Sequence, residues 1–354
     1  MKMLTIIGAR PQFVKAGIVS KRIRELSNID EILLHTGQHF DPNMSEIFFD
    51  QMCIPKPEIQ LGIHGGSHGE MTGRMLIDIE KVIFDLRPDK VMVYGDTNST
   101  LAGALAATKL HIPVVHVEAG LRSFNMRMPE EINRILTDQV SDILFCPTDT
   151  AMDNLRKEGF EQKNVSMLNV GDVMQDAALH FVHNAIKPYG IIDNSYFILA
   201  TLHRAENTDD PTRLRNIVVA LNTIHREIVP IVLPLHPRTL KKIKQNGLQL
   251  DVNVIEPVGY LEMLWLLKHC QLVLTDSGGV QKEAFFFSKY CVTMRDQTEW
   301  VELIKHNVNT LVGADTEIII NTVKNNISKD VRDSSQLYGG GNAAKNIVSF
   351  LSQS

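Results

Sequence analysis

Six apolar stretches of this 354-residue chain run directly into side chains that bind anions or move protons. "MLTIIG" leads to Arg10 and Lys15, "KVMVYGD" ends in Asp96, and "PVVHVEAG" carries Glu118 ahead of Arg122. "YFILATL" leads to His203, Arg204 and Glu206, "IVLPL" to His236 and Arg238, and "LVLTD" to Ser277, Gly278 and Gly279. Carboxylates and histidines so placed serve acid–base chemistry, and arginine and lysine hold anions. The last stretch, "LVLTDSGGVQKEAFF", turns at once from an apolar run into an amphipathic one. Ser277 suits a helix N-cap, and two glycines let a ligand reach the unpaired N–H groups of a first turn. The helix dipole favours phosphate there. Glu283 lies one turn beyond Gly279 on the same face and suits sugar hydroxyls. Phosphate with ribose means a nucleotide; a capped helix start with glycines for close packing is the other reading, and the motif accommodates both. GxxxxGK[ST] and GxGxxG are absent, which argues against a phosphate-transferring P-loop and weakens a nicotinamide reading.

Elements must hold these groups in place. A first series of apolar runs comprises "MLTIIG", "EILLHTG", "KVMVYGD", "PVVHVEAG", "DILFCPT" and "VSMLNVGD". A second comprises "YFILATL", "IVPIVLPL", "VNVIEPV", "LVLTD", "YCVTM" and "NTLVG". Helical patterns such as "FVKAGIVSKRIREL" separate them. Continuous apolar strands alternating with helices predict parallel sheets covered on both faces. The length exceeds what one core usually fills, so two α/β, Rossmann-like, doubly wound domains are expected, with a boundary between Asp172 and Pro188. Residues 1–172 form the first and 173–340 the second. Residues 341–354 form a last helix after the "GGG" hinge, able to dock on either. Ligands bind beyond the carboxyl ends of such strands, so six loaded strand ends imply an interdomain cleft.

The remaining features exclude more than they assign. The balance of 36 Lys+Arg against 41 Asp+Glu gives 36 − 41 = −5, which argues against a nucleic-acid or anionic-membrane binder. No apolar stretch reaches membrane-span length, and "MKMLTIIGARP" has no signal-peptide form, so a cytoplasmic protein is expected. Cys53, Cys146, Cys270 and Cys291 form no CxxC pair and read as reduced thiols. The histidines of "GQHFD" and "GIHGGSHGEMTG" lack zinc-site spacing, so neither metal nor cofactor is expected. His116, inside an apolar strand, reads as a satisfied core histidine. Glu131, in "PEE", reads as a normal helix start, whereas Glu118 at a strand end is harder to dismiss. The "FFF" at 285–287 reads as core.

Taken together, "GARPQFVK", "TGQH", "YGDTNST", "HVEAGLR", "PEEINR", "HRAEN" and "LTDSGGVQKEA" resemble the non-hydrolysing UDP-N-acetylglucosamine 2-epimerase family, in the same order along nearly the whole chain. "RSFNMRMPEEINRILTDQVSDILFCPT", "TLHRAENTDD" and "MRDQTEWVEL" look most like its branch acting on UDP-2,3-diacetamido-2,3-dideoxy-D-glucuronate. That branch makes a manno-configured sugar for surface polysaccharide such as O-antigen. The resemblance implies a glycosyltransferase-B fold with the active site between two domains, a homodimer, and a UDP-sugar as the sole partner. It also implies an isomerase that eliminates UDP across C1–C2 to leave a glycal, then re-adds it with the proton on the other face. UDP-N-acetylglucosamine is the alternative substrate. A hydrolysing epimerase, a glycosyltransferase and a non-catalytic sugar-nucleotide sensor are the competing functions.

By the resemblance Asp96, Glu118, Glu130 and His203 fall at catalytic positions. Arg10, Lys15, His236, Ser277, Gly278, Gly279 and Glu283 fall at UDP-binding ones, with Glu283 on the ribose. A uronate also needs a cation for its carboxylate, for which Arg74 and Arg127 are the candidates. Two departures stand out. Trp300 in "TEWVE" replaces the arginine of the family's "ERPE", removing one cation near UDP. Ala205 follows Arg204 where regulated members have a second arginine, although Gln38 and His39 remain; added UDP-N-acetylglucosamine is therefore expected to activate weakly or not at all.

Overall fold

The computed structural model describes residues 1–26, 28–38, 55–191, 196–332 and 336–353. Two compact units make up the chain: Met1–Ala177 with Gln336–Ser354, and Ala178–Ser335. These limits stand beside the expected ranges of 1–172, 173–340 and 341–354. The first sheet contains β1 (Lys2–Ile7), β2 (Asp30–His35), β3 (Ile59–Gln60), β4 (Lys90–Tyr94), β5 (Val114–Val117), β6 (Ile143–Cys146) and β7 (Ser166–Asn169). Their order in space is β3-β2-β1-β4-β5-β6-β7, every pair parallel. The second contains β8 (Ile198–Thr201), β9 (Ile231–Pro234), β10 (Asn253–Ile255), β11 (Leu272–Thr275), β12 (Tyr290–Thr293) and β13 (Asn309–Leu311), ordered β10-β9-β8-β11-β12-β13. It too is parallel throughout. Each apolar run of the two series became a strand. The sequence reading missed β3, whose two residues are too few to register as a run.

Both sheets reverse direction once. The first winds outward from β1 through β2 to β3, then restarts on the other side of β1 at β4; the second does the same between β8 and β11. Such a switch point leaves a crevice beyond the two diverging strands. The loops after β1 and β4, and after β8 and β11, carry many of the side chains singled out above.

Helices cover each sheet by burying their apolar face. In helix His68–Leu86, Met75, Ile79 and Ile83 recur at four-residue spacing and are the buried positions. Ser67 caps its start by accepting from the Glu70 N–H at 3.2 Å, and Arg87 ends it in a left-handed conformation just before Pro88. These side chains pack with Leu4, Ile6, Val91 and Val93 in one core cluster, each such burial stabilising by about 2 kcal/mol. Helix Asn98–Lys109 turns small residues, among them Ala102, Gly103, Ala106 and Ala107, to the interior. A Cβ on Gly103 would come within 2.8 Å of Ile6 Cδ1. Among the described residues no helix is long and apolar enough to cross a membrane. The thiols of Cys146, Cys270 and Cys291 are free and buried, and Cys53 lies outside the described residues.

The closing segment belongs to the first unit. Helix Ala343–Leu351 packs on helix Arg10–Leu26, and Phe350 meets Phe145 edge-on at 5.7 Å. The glycine run before it turns the chain, with positive φ at Gly339, Gly340 and Gly341, and at Gly339 it also permits close contact. A Cβ on Gly339 (φ +85°) would sit 2.8 Å from the Gly171 Cα, so two backbones touch there. Buried Asp176 then accepts from the Ala343 and Ala344 N–H groups at 3.0 and 2.8 Å. Burial raises its carboxyl to about 6, although both N–H groups pull the other way. The native state thus binds this proton more tightly than the unfolded chain, whose aspartates titrate near 3.9. Stability from Asp176 is full below about pH 4 and is lost as pH rises through about 6. We expect wild type to lose up to about 3 kcal/mol relative to Asp176→Asn across that window, read as urea midpoints at pH 4, 5, 6 and 7. A gap independent of pH would refute the assignment.

Candidate active site

At the carboxyl end of β1, Gly8 has no room for a side chain, because a Cβ would overlap the Thr36 and Ser99 hydroxyls. Gln12 ties this turn to the end of β4. Its Oε1 accepts from the Gly8 and Ala9 N–H groups at 2.8 and 2.9 Å, and its Nε2 donates to Tyr94 O at 2.7 Å. Arg10 opens helix Arg10–Leu26 half-buried, and Lys15 projects from its second turn. Beyond β4 the chain turns through Gly95 (φ +61°) into Asp96. Beyond β5, Glu118 adopts φ +73°, a left-handed conformation that costs a non-glycine residue about 1–3 kcal/mol and collects at functional sites.

These turns bring Asp96, Glu118 and Lys15 together. Lys15 pairs with Glu118, and a Cβ on Gly95 would stand 3.3 Å from Glu118 Oε2 and 3.8 Å from Lys15 Nζ. Asp96 receives a hydrogen bond from Arg134, while Asn133 Nδ2 donates to its carbonyl at 3.0 Å. Burial lifts the Asp96 carboxyl above the ordinary range; Arg134 opposes the rise and Glu118 adds to it. The side chain keeps 29 % of its surface open, enough for contact with a bound molecule. A carboxyl with a raised proton affinity beside a lysine-paired carboxylate can accept and donate a proton.

Arg134 comes from a helix of inverted polarity. Helix Pro129–Val140 buries Glu131, Asn133, Arg134, Thr137 and Asp138 and exposes Ile132 and Leu136. Its inward face supports the loop and strand ends rather than an apolar core. Glu131, read from sequence as a helix-start residue only, is fully buried. It accepts from the N–H groups of Ser123 and Phe124 at 2.9 and 2.8 Å and pairs with Arg134 at 3.1 Å, so it also anchors the loop ahead of the helix. Glu130 and Arg127 are exposed on that helix and loop. Arg74 is committed locally, donating to His64 O and Gly65 O at 3.1 and 2.9 Å. Gln38 Oε1 accepts from Ser99 Oγ at 2.7 Å; His39 lies outside the described residues.

The second unit carries the other group. Asp276, fully buried at the end of β11, accepts from the His203 N–H at 3.0 Å and the Arg204 N–H at 2.9 Å, and His203 Nδ1 lies 3.0 Å from it. Burial would raise the Asp276 carboxyl, but the His203 contacts outweigh it and hold the group below its ordinary range. His203, 53 % exposed, is thereby oriented from behind and open in front. Helix Gly278–Phe286 begins as expected after Ser277, but the expected Ser277 cap does not form. The Ser277 N–H donates to Thr275 Oγ1 at 2.9 Å, a turn in which its own hydroxyl takes no part.

A Cβ on Gly279 would meet nothing within 4 Å, whereas one on Gly278 would overlap the Glu299 carboxylate and stand 3.4 Å from Arg204 Nη2. Arg204 therefore lies beside the helix start, a position that sequence reading placed at a strand end without assigning. Glu283 follows one turn on and is buried. Trp300, standing where an arginine was expected, donates Nε1 to Gly278 O at 2.9 Å and carries the Lys282 ammonium 4.0 Å above its ring. His236 caps helix Pro237–Gln245, its Nδ1 accepting from the Arg238 N–H at 3.2 Å.

A family model described as UDP-N-acetylglucosamine 2-epimerase matches residues 21–352. The chain is 65 % identical to the UDP-2,3-diacetamido-2,3-dideoxy-D-glucuronate 2-epimerase of Pseudomonas aeruginosa, over 100 % of both chains. It resembles the crystal structure of Methanocaldococcus jannaschii UDP-GlcNAc 2-epimerase in complex with UDP-GlcNAc and UDP, with a TM-score of 0.87, 42 % identity and 100 % of each chain covered. The Neisseria meningitidis UDP-GlcNAc 2-epimerase bound to UDP-GlcNAc gives the same TM-score at 31 % identity, again covering 100 % of each chain. Two doubly wound parallel sheets, a family-model match over residues 21–352 and 65 % identity from end to end to a 2-epimerase lead to one conclusion: the chain belongs to the UDP-N-acetylglucosamine 2-epimerase family.

Proposed function

We propose that the UDP-sugar inverted by this 2-epimerase is UDP-2,3-diacetamido-2,3-dideoxy-D-glucuronate, converted at C2 to its manno epimer. The observation carrying the substrate choice is the 65 % identity, end to end, to the Pseudomonas aeruginosa enzyme of that name, against 42 % to the Methanocaldococcus jannaschii structure. The C2 hydrogen of such a sugar is not α to a carbonyl, so a base alone removes it poorly. Departure of UDP must supply much of the driving force, and the site must stabilise the leaving diphosphate while handling a proton. The N–H groups at the start of helix Gly278–Phe286 stabilise that charge, with Arg10, Arg204, His203 and His236 as cations or donors and Glu283 on the ribose.

Asp96, Glu118 and Glu130 are the proton-transfer carboxylates in this reading. Asp96 is favoured as one that both gives and takes a proton, because burial lifts its carboxyl. Lys15 is committed to Glu118 and keeps that carboxylate in place. For the uronate carboxylate the proposal prefers Arg127, exposed on the loop that Glu131 anchors, over Arg74, whose guanidinium already binds two carbonyls.

The proposal includes a homodimer. The first unit exposes Phe84 (67 %) on helix His68–Leu86, Phe124 (79 %) and Met126 (60 %) on the loop before helix Pro129–Val140, and Ile132 and Leu136 on that helix, more apolar surface than such elements ordinarily leave to water. Light scattering should return the mass of two chains; a one-chain mass at micromolar concentration would refute this part.

Turnover in D₂O, followed by NMR, tests the reaction itself. Deuterium should appear at C2 of a manno product from the diacetamido-uronate and not from UDP-N-acetylglucosamine. Asp96→Asn should slow that exchange at least ~10²-fold, and Arg127→Met should raise KM for the uronate with kcat little changed. Exchange with UDP-N-acetylglucosamine alone would overturn the substrate; exchange with neither would overturn the chemistry.

A further inference from the structure

Behind the two carboxylate-bearing turns of the first unit runs a buried polar chain that the reaction as described does not use. His116, on β5, and Asp138, on helix Pro129–Val140, are both fully buried. His116 Nδ1 lies 2.7 Å from Asp138 Oδ1, and its Nε2 lies 2.8 Å from Gly95 O. The second Asp138 oxygen accepts from the Gly120 N–H at 3.1 Å and from Arg122 Nη1 at 2.7 Å. Arg122 is closed off in turn by a two-pronged pair with Glu158 at 2.7 and 2.8 Å.

The atoms that this chain holds decide where Asp96 and Glu118 begin. Gly95 directly precedes Asp96, and Gly120 follows Glu118 by two residues. Gly95, Glu118 and Gly120 all have positive φ, at +61°, +73° and +78°. One is a non-glycine residue in a costly conformation, which persists only where its surroundings over-determine it. The hydrogen-bond inventory also sets the state of the ring. A carbonyl oxygen has no proton to give, and Asp138 is held ionised independently of the ring: burial would raise its carboxyl, but the permanently charged Arg122 pairs with it and the Gly120 N–H donates to the same oxygen. Both ring nitrogens of His116 therefore face acceptors, and a neutral imidazole could satisfy only one of them. Two cations, His116 and Arg122, then balance two anions, buried Asp138 and, at the exposed end of the chain, Glu158.

We infer that His116 is a positioning residue: a doubly protonated ring that, through Gly95 and Asp138, holds the turns presenting Asp96 and Glu118 to the substrate. It acts through those residues and touches no reacting atom. The inference rests on the proposed epimerisation for what the turns do, but the state of the ring stands apart from it.

Two readouts separate the two. In ¹⁵N-histidine-labelled wild type at pH 7.5, both His116 ring nitrogens should carry a proton, the signal being assigned by its absence from His116→Gln. A ring with one bare nitrogen would overturn the inference whatever the enzyme turns over, and two protonated nitrogens would support it even if C2 exchange were seen with neither UDP-sugar. In the second readout, His116→Gln can bridge only one acceptor and should lower kcat for C2 exchange by on the order of 10²-fold, the cost of a small misplacement of reacting groups. Affinity for UDP, measured by calorimetry, should change by less than about twofold, because the loss is in orientation and not in ground-state binding. An unchanged kcat in the folded variant, or losses of kcat and UDP affinity in equal proportion, would refute a positioning role. Should His116→Gln fail to fold, Asp138→Asn keeps the shape while removing the charge that the ring requires. The same split between kcat and UDP affinity is then expected, and its absence counts equally against the inference.

Discussion

A carboxylate taken out of water must be matched by a cation or must take up a proton, and this constraint organises the chemistry-bearing loops of the chain. Glu118 is matched by Lys15, Asp96 by Arg134, and Asp138 by Arg122 and His116, while Asp276 takes hydrogen bonds from the His203 and Arg204 N–H groups. The outcomes differ with the strength of the match. Asp138 and Asp276, each with donors to both oxygens, are held below the ordinary carboxylate range. Asp96, with one guanidinium and a second carboxylate nearby, is pushed above it. Strong matching fixes geometry and weaker matching leaves a group that can exchange a proton, so one physical rule yields both scaffold and reactivity.

The two units apply the rule to different ends. In the first, carboxylates converge beyond β4 and β5, with cations arriving from helices Arg10–Leu26 and Pro129–Val140. In the second, the helix start at Gly278 gathers positive character from its own N–H groups and from Arg204, and buried Asp276 serves to aim His203 and Arg204. Trp300 belongs to this logic. In place of a charge it offers an indole N–H to the Gly278 carbonyl and a ring face to Lys282, holding the glycine turn rather than contributing a cation to it.

Much of the fold was legible because parallel strands buried on both faces read as unbroken apolar runs. Their carboxyl ends were legible because loops at a switch point collect chemically potent side chains. What escaped had physical reasons. β3 is too short to leave a pattern. Ser277 looks like a cap by residue type and does precede the helix, yet its hydroxyl makes no capping bond, because residue type does not fix the rotamer that such a bond requires. The polarity of helix Pro129–Val140 was written in the chain: Glu131, Arg134 and Asp138 recur at helical spacing while Ile132 and Leu136 fall between them. "PEE" reads first as a helix start, however, and only the sheet shows that the charged side is the inner one. His116 was legible as a satisfied core histidine; its partners, distant in sequence, were not.

The placement of helix Ala343–Leu351 bears on how the protein is made. Because residues 336–354 complete the unit begun at Met1, the second unit is an insertion in the covalent order of the first. A chain leaving the ribosome presents Met1–Ala177 long before the segment that covers helix Arg10–Leu26 and satisfies Asp176. The inserted unit, contiguous in sequence, has all its parts in hand earlier than the unit that precedes it. Biosynthetic order and order of completion are thus reversed. Until the last residues emerge, the nascent first unit lacks the helix that packs on helix Arg10–Leu26.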